Sequence, residues 1–334
     1  MEQTKPKRYY SVDYFKYFCA LLIVVIHLKP LKDFSDTLSD FSINGIARIG
    51  VPFFFISSGF FLSKKLYAKK SVIKTYLLKL LAVYTFWSAV YATRLILIEI
   101  KNKSLTLSFL KALIIKYFLY GISEHLWFCI SLLISALLLW LIHKIRLQKY
   151  TFLFSLILIT AACVFLTYVK TVTKVFPALE GLSFEHCFWL FRLLVFGPCF
   201  VFLGDFICAK EEKILSLKNK LYYIFGAALI IHIAEKSFNY RHGDNLLINF
   251  SLYLLVMSIF FLLIKNPGKD GAGVSIYARN ASAFTYYSHI IVLEAVGYLS
   301  DSYLIKYISV VLITLILSII LTKINNKKLN YVLM

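Results

Sequence analysis

The chain has 334 residues, of which 60% are hydrophobic and 17% aromatic, and its mean hydropathy is +0.76. These values are far from those of a soluble domain and indicate a polytopic membrane protein. The formal net charge is +20, but Lys and Arg form short clusters between apolar runs rather than one basic surface. This pattern argues against nucleic-acid binding and is typical of the positive-inside rule.

Ten apolar runs are long enough to span a bilayer, which takes about 17–25 residues. The first run has no A-x-A-like cleavage site and is followed by similar runs, so we expect a retained helix rather than a signal peptide. The sequence predicts an all-α fold, a bundle of about ten transmembrane helices forming one domain over residues 1–334. The runs lie near residues 10–29, 44–63, 76–98, 124–142, 150–169, 188–208, 221–236, 245–264, 280–298 and 303–322.

Basic clusters before the first run and after every second run place both termini in the cytoplasm. The exception is the third connection, residues 99–123, which this orientation makes external although it carries Lys111 and Lys116 among apolar residues. An interfacial or re-entrant helix explains these residues; the alternative is a different number of spans here. The six cysteines mostly fall within apolar runs and form no CxxC pair, so neither a disulfide framework nor a metal site is expected.

The first run contains two ionisable residues, Lys16 and His27. On an α-helix their spacing corresponds to about 16 Å of rise and roughly 20° of rotation, so they share one face. Ionisable side chains at membrane depth are costly and mark functional sites. His27 is a candidate general base, the alternative being a packing hydrogen bond. Asp13, one turn before Lys16, is a candidate partner for it, and Lys16 either binds an anionic ligand or snorkels to the interface.

The second run, GIARIGVPFFFISSGFFLSKK, combines a cation with helix-breaking residues. Pro52 predicts a break or kink that makes room for a cavity, and Ser57, Ser58 and Gly59 offer small surfaces for close helix packing. Arg48 is a candidate for binding phosphate or carboxylate, the alternative being an interfacial anchor.

Three later runs also carry polar residues. Residues 124–128 (EHLWF) open the fourth span with His125, a candidate second acid or base, and Trp127, a candidate belt residue. Arg192 stands in a strongly apolar run, in which Gly197, Pro198 and Gly204 again indicate a kink or close packing. Residues 286–289 (YYSH) contribute Tyr287 and His289, which we expect near the cytoplasmic start of the ninth span. For each, the alternative is an interhelical hydrogen bond.

Motifs of several soluble enzyme classes are absent from the sequence: no GxSxG elbow, Walker A loop, HExxH or EF-hand loop occurs. Ordinary hydrolase, ATPase and zinc-protease functions therefore have no support.

Taken in order, the polar motifs resemble those of the acyltransferase-3 family of integral membrane acyltransferases. The family mark is a basic residue, ten intervening residues and a histidine in the first span, here Lys16 and His27. The resemblance continues through residues 48–60, 125–128 and 286–289 and through Arg192, and covers nearly the whole chain. One departure is Lys16, where many members carry Arg; it keeps the charge but lacks the fork that grips phosphate.

This resemblance implies a bundle of about ten helices that uses cytoplasmic acyl-CoA, commonly acetyl-CoA, to O-acylate a carbohydrate, with no permanently bound cofactor. Lys16, Arg48 and Arg192 would then bind the donor, and His27 would act as the base or carry the acyl group. The further candidates are Asp13, Ser58, His125, Tyr287 and His289. The implied partners are membrane lipid, a carbohydrate or glycolipid acceptor and proteins of glycan assembly, and the implied location is the bacterial plasma membrane.

Two alternatives stay open at this point. A similar membrane domain precedes the soluble racemase domain of the vancomycin-resistance serine racemases, where it is associated with serine supply. A transport or flippase module without acyl transfer is therefore the second hypothesis, although no racemase sequence is expected after residue 334. A sensor or structural protein on the same scaffold is the third, and it predicts no binding of acyl-CoA.

Overall fold

The computed structural model shows a helical protein, and no β-strand occurs among the residues that it describes. The described residues are 8–68, 71–167, 175, 188–242, 248–271, 273–298, 300–324, 331 and 333.

All ten predicted runs fall on helices, which confirms the all-α prediction. Parts of two runs, residues 168–169 and 245–247, lie outside the described residues. The helices are α1 (Tyr10–Leu28), α2 (Asp36–Phe41), α3 (Gly50–Tyr67), α4 (Ile73–Lys101), α5 (Leu107–Leu119), α6 (Trp127–Lys144), α7 (Thr151–Ala162), α8 (Phe188–Phe191), α9 (Gly197–Ala209), α10 (Glu211–Leu215), α11 (Lys220–His242), α12 (Phe250–Lys265), α13 (Val274–Val296) and α14 (Tyr303–Ile324).

Seven helical stretches within the described residues are long and apolar enough to cross a membrane. The stretches at α7 and α12 are apolar but shorter, and α13 is long but carries many polar residues. The chain is thus a multi-pass membrane protein, while the side on which its termini lie stays a prediction.

The third connection contains α5, which is apolar but buries only Leu113. Leu107, Ile114 and Phe118 are each more than half exposed. An exposed apolar helix fits the predicted interfacial element, whose depth in the membrane stays a prediction.

A close backbone approach joins α3 to α9. A Cβ added to Gly59 would lie 2.2 Å from the carbonyl oxygen of Val201, and one on Gly204 would lie 2.3 Å from that of Ile56. Both distances are shorter than any real contact, so only glycine fits. The small surfaces predicted at these glycines are therefore confirmed as a helix contact, and α1 packs beside it against α3, α13 and α14.

At the end of the bundle where α1 begins, polar side chains form hydrogen bonds and an ion pair between helices. The buried Asp205 carboxylate contacts His143 Nε2 at 2.8 Å and accepts hydrogen bonds from Thr151 at 2.9 Å and from Tyr67 at 3.3 Å. Nearby, Lys64 forms an ion pair of 2.8 Å with Glu211. These contacts join α3, α6, α7, α9 and α10.

The glycine contact gives a prediction for stability. Gly204→Ala should lower the free energy of unfolding by about 1–3 kcal/mol, because the added methyl group forces two backbones apart. Unfolding of the purified protein in micelles measures this. Gly226→Ala is the matched control, since a Cβ there meets no atom within 4 Å. Equal stabilities of the two variants would contradict the proposed contact.

Asp33 joins the loop after α1 to the last helix. Its carboxylate accepts hydrogen bonds from the Ser302 hydroxyl at 2.6 Å and from the backbone N–H groups of Tyr303 at 3.0 Å and Leu304 at 2.8 Å. The bond from Leu304 is the main cause that holds the pKa of Asp33 below its ordinary value of 3.8. An ionised Asp33 therefore caps α14.

This cap predicts a pH dependence. Because the folded pKa of Asp33 is below the unfolded one, its stabilising effect is complete above the unfolded pKa and disappears as the pH falls through the folded pKa. Asp33→Asn should lower the thermal midpoint at neutral pH, and the difference from the native protein should vanish in acid. Asp36→Asn, which removes another exposed carboxylate, is the control. A difference for Asp33→Asn that persists unchanged in acid would refute a role of the charge.

Candidate active site

A cavity of about 350 Å³ lies at the end of the bundle where α1 ends and α3 begins. Its wall includes the 3₁₀ turns Ala47–Ile49 and Glu124–Leu126 and the π-helical turn Arg192–Phe196. Such departures from α-helix often mark functional sites. The polar residues that line the cavity are His27, Arg48, Glu124, His125, Arg192 and Tyr286.

Two prolines explain two of these irregular turns. Pro52 has no N–H to donate to the carbonyl of Arg48 four residues earlier, and regular helix α3 starts only at Gly50. Pro198 stands in the first turn of α9, directly after the π-helical turn Arg192–Phe196. The breaks predicted at both prolines are confirmed, and an arginine precedes each proline within two turns.

His27 is the last residue but one of α1 and lines the cavity half-buried. Its imidazole packs against that of His289 on α13, with ring centroids 5.1 Å apart and an angle of 47° between the rings. A ligand in the cavity therefore reaches His27, and His289 supports the ring from behind.

His289 is fully buried, and its protonation state follows from its contacts. Its Nδ1 lies 2.8 Å from the carbonyl oxygen of Tyr286 and 3.1 Å from that of Thr285. Since both neighbours are acceptors, Nδ1 carries the proton, and in the neutral ring Nε2 then carries the lone pair. Within the described part of the chain Nε2 has no hydrogen-bond partner.

His125 extends the group to three imidazoles. Its ring centroid lies 5.0 Å from that of His289, and its Nδ1 lies 3.2 Å from the Ser123 hydroxyl. The Tyr286 hydroxyl donates a hydrogen bond to the His125 carbonyl and so ties α13 to the start of α6. The Nε2 atom of His125 is buried without a partner among the described residues. His27 and His125 line the cavity, and His289 contacts both.

Arg48 brings a cation into the same cavity from the 3₁₀ turn before α3. The Nε of this half-buried side chain is inaccessible to solvent and has no hydrogen-bond partner in the described residues. A buried donor without a partner costs free energy, and such atoms in native proteins frequently serve ligand binding.

Arg192 lines the same cavity from the π-helical turn Arg192–Phe196. Its guanidinium carbon lies 4.1 Å from the ring centroid of Trp127 and 5.0 Å from that of Trp189. Cation–π stacking of this kind orients the planar guanidinium. Trp127, interpreted from the sequence as a belt residue, is instead buried beneath this cation.

The cavity is suited to acid–base chemistry on an anionic or polarised group. Two guanidinium groups that line the same cavity attract an oxyanion or phosphate. The adjoining imidazoles supply nitrogen lone pairs that accept protons. Glu124 stands exposed at the mouth of the cavity.

The other predicted residues lie away from this cavity. Lys16 faces the Phe61 ring at 4.9 Å, and Asp13 attracts it electrostatically without forming an ion pair within 4 Å. Ser58 lies beside Tyr76 on α4. Tyr287 stacks on Trp87 at 5.8 Å between ring centroids, and its hydroxyl contacts Cys129 Sγ at 3.4 Å. These four residues stay candidates on the strength of the sequence alone.

One positional expectation was wrong. Residues 286–289 do not lie near the start of their span, because α13 already begins at Val274 and brings His289 into its second half. Sequence reasoning also left Glu124 and Tyr286 out of the site. Their spacing could have indicated them, since Glu124 precedes His125 directly and Tyr286 lies one helical turn before His289.

The arrangement around His289 gives a spectroscopic prediction. In protein labelled with ¹⁵N-histidine in nanodiscs, the His289 signals should report a protonated Nδ1 and an unprotonated Nε2 at neutral pH. His289→Asn identifies these signals by removing them. An unprotonated Nδ1 with a protonated Nε2 would show that the two carbonyl contacts do not set the tautomer.

Comparison with known proteins identifies relatives for nearly the whole chain. A family model of the acyltransferase-3 type, described as an acyltransferase domain, matches residues 9–323. An amino-acid racemase of Enterococcus faecalis is 27% identical over 334 residues, which cover 96% of this chain and 46% of that protein. A serine/alanine racemase of Enterococcus gallinarum is 25% identical over 340 residues, covering 91% of this chain and 45% of that protein.

The chain spans less than half the length of these racemases. No solved structure matches it. Since the family model covers the helices that build the cavity, from α1 to α14, the chain belongs to the acyltransferase-3 family of integral membrane acyltransferases.

Proposed function

We propose that the protein is a membrane O-acyltransferase that transfers an acyl group, in particular acetyl, from acyl-CoA to a hydroxyl of a cell-surface or lipid-linked carbohydrate. Membership of the family supports acyl transfer as the reaction. The observation that carries the proposal is one cavity in which the half-buried imidazole of His27 adjoins the guanidinium groups of Arg48 and Arg192.

In the proposed reaction His27 is the general base. A ring nitrogen takes the proton of the acceptor hydroxyl while the hydroxyl oxygen attacks the thioester carbonyl. The carbon–sulfur bond then breaks, and the proton passes from His27 to the departing thiolate, so that an ester and free CoA result. His27 also fits a two-step route in which its nitrogen first carries the acyl group. Both routes need a neutral imidazole.

Arg48 and Arg192 complete the proposed chemistry. The thioester carbonyl becomes an oxyanion as the acceptor attacks, and a preorganised cation lowers the energy of that state. Arg192 is held in place by two indole rings before any ligand binds. Arg48 has a buried N–H with no protein acceptor among the described residues. Either guanidinium also suits a phosphate of the donor.

The donor route is proposed to follow α1. With the predicted orientation Lys16 lies toward the cytoplasm and attracts the phosphates of acyl-CoA, and the thioester reaches His27 about 16 Å further along the helix. The cavity supports only the last part of this route, because its deepest lining residue on α1 is Ile23. The acceptor approaches from the outer face of the bacterial plasma membrane, where proteins of glycan assembly supply it.

A substitution at His27 tests the proposal. His27→Ala should reduce transfer of labelled acetyl from acetyl-CoA to a glycan acceptor in proteoliposomes by about 10²–10⁴-fold, because the base is lost. Lys29→Ala, which removes a nearby exposed side chain outside the cavity, is the control and should keep full activity. Size-exclusion profiles verify that both variants fold. Undiminished acetyl transfer by His27→Ala would refute the proposed role.

The names of the relatives favour one second candidate function. Because the matched proteins are called racemases, a membrane module that moves an amino acid such as serine, without acyl transfer, is the alternative. Uptake of labelled serine into proteoliposomes, measured beside acetyl transfer in the same preparation, separates the two functions.

A further inference from the structure

A second cavity lies beside the first and has a different character. It is a groove of about 610 Å³ between residues 37–49 on one side and α11 and α12 on the other. Most of its wall is apolar, with contributions from Phe41, Phe225, Leu229 and Ile233. An apolar groove of this size accommodates a hydrocarbon chain.

The groove is bordered by surfaces that are typical of contact with lipid. On α2, Leu38 and Phe41 are more than half exposed, and on α11 Ile230, Ile233 and Tyr240 are as well. Exposed apolar side chains on a multi-pass membrane protein face the bilayer. The groove therefore opens toward lipid, and a lipid chain can enter it from the side.

Charged residues line one end of the groove. Arg241 and Lys236 stand on α11, and Asp40 stands across from them on α2. Ile49 lines the groove, and its chain neighbour Arg48 lines the His27 cavity. The groove therefore adjoins the candidate active site.

Hydrogen bonds hold the wall between the groove and the cavity in place. The π-helical turn Ser42–Ile46 is held by His232, whose Nε2 lies 2.8 Å from the Gly45 carbonyl oxygen and whose Nδ1 lies 2.9 Å from the Ser251 hydroxyl. Glu235 accepts a hydrogen bond of 2.7 Å from the Ser251 backbone N–H. These bonds fix α11 against α12 and keep the groove open.

We propose that this groove binds the hydrocarbon chain of a lipid-linked saccharide, with the phosphate of the lipid at Arg241 and Lys236 and the saccharide directed into the His27 cavity. The apolar wall matches the chain, and the basic end matches the phosphate despite Asp40. The adjacency of Arg48 favours an acceptor substrate over a structural phospholipid. The inference rests on the proposed function, since it names the acceptor class.

The binding test uses a polyprenyl phosphate with a benzophenone on its chain, incorporated into phosphatidylcholine nanodiscs with the whole protein. After irradiation, mass spectrometry of peptides should find the label on α2 and α11. Excess unlabelled polyprenyl phosphate should compete, whereas excess phosphatidylglycerol should not. Equal competition by phosphatidylglycerol would identify a structural phospholipid site and overturn the proposal.

Two variants on α11 separate the groove from the lipid-facing surface. Ser237 lines the groove, and its hydroxyl donates to the Ile233 carbonyl within the same helix, so Ser237→Trp fills the groove without removing an interhelical bond. Ala234→Trp is the matched control, because Ala234 is exposed on the same helix outside the groove. Labelling should be lost only in Ser237→Trp. Equal labelling of both variants would refute the site.

A substitution at Arg241 tests the proposed contact with the lipid phosphate. Arg241→Gln should weaken binding about fivefold, the effect of one basic residue near a membrane surface, and Arg241→Lys should restore most of it. An uncharged polyprenol, which loses the contacts to both Arg241 and Lys236, should bind the native protein more weakly than the phosphate binds Arg241→Gln. Equal binding of polyprenol and polyprenyl phosphate to the native protein would refute the role of the charge.

His27→Ala distinguishes failure of this inference from failure of the proposed reaction. If both are right, His27→Ala keeps the label and loses acetyl transfer. If His27→Ala retains acetyl transfer, the proposed role of His27 is refuted, while labelling of the groove still supports lipid binding there. Loss of transfer in His27→Ala with no labelling of the native protein refutes the groove alone.

Discussion

The contact between the backbones of α3 and α9 is the constraint on which the rest of the molecule depends. In a bilayer the hydrophobic effect does not drive helices together, so close packing of small residues has to hold them. Gly59 and Gly204 allow an approach at which no Cβ fits. Each helix begins beside a proline, and each proline follows an irregular turn that carries an arginine, Arg48 or Arg192. The contact therefore sets the separation of two guanidinium groups as well as the packing of two helices.

The two ends of the bundle differ in the bonding of their buried ionisable groups. Where α1 begins, Asp205 has His143, Thr151 and Tyr67 as partners, and this set of contacts fastens the helices. Where α1 ends, buried nitrogens of His125, His289 and Arg48 have no partner in the part of the chain that the structure describes. A fully bonded buried group contributes to stability, whereas an unbonded one costs free energy that a ligand can recover. This difference supports the second end as the reaction site.

The cavity and the groove together describe a route for two substrates. Acyl transfer needs donor and acceptor to meet at one base, and His27 stands at the end of the helix along which the donor is proposed to lie. The groove approaches the same point from the bilayer, separated from it by the turns Ser42–Ile46 and Ala47–Ile49. A wall of hydrogen-bonded backbone between them, fixed by His232, keeps an apolar compartment beside a polar one.

The sequence by itself determined the helical runs, their number and the polar residues that interrupt them, because hydropathy, proline and charge act locally along a chain. It identified ionisable residues whose burial in apolar surroundings costs free energy, namely His27, Arg48, His125, Arg192 and His289. Only the tertiary structure decided that these residues meet and that Lys16 and Tyr287 lie elsewhere, because helix packing brings together positions far apart in the chain. For the same reason the sequence did not predict the hydrogen bonds of Asp205, the burial of Trp127 or the presence of the groove. Each depends on which helices are neighbours, and no local pattern encodes that.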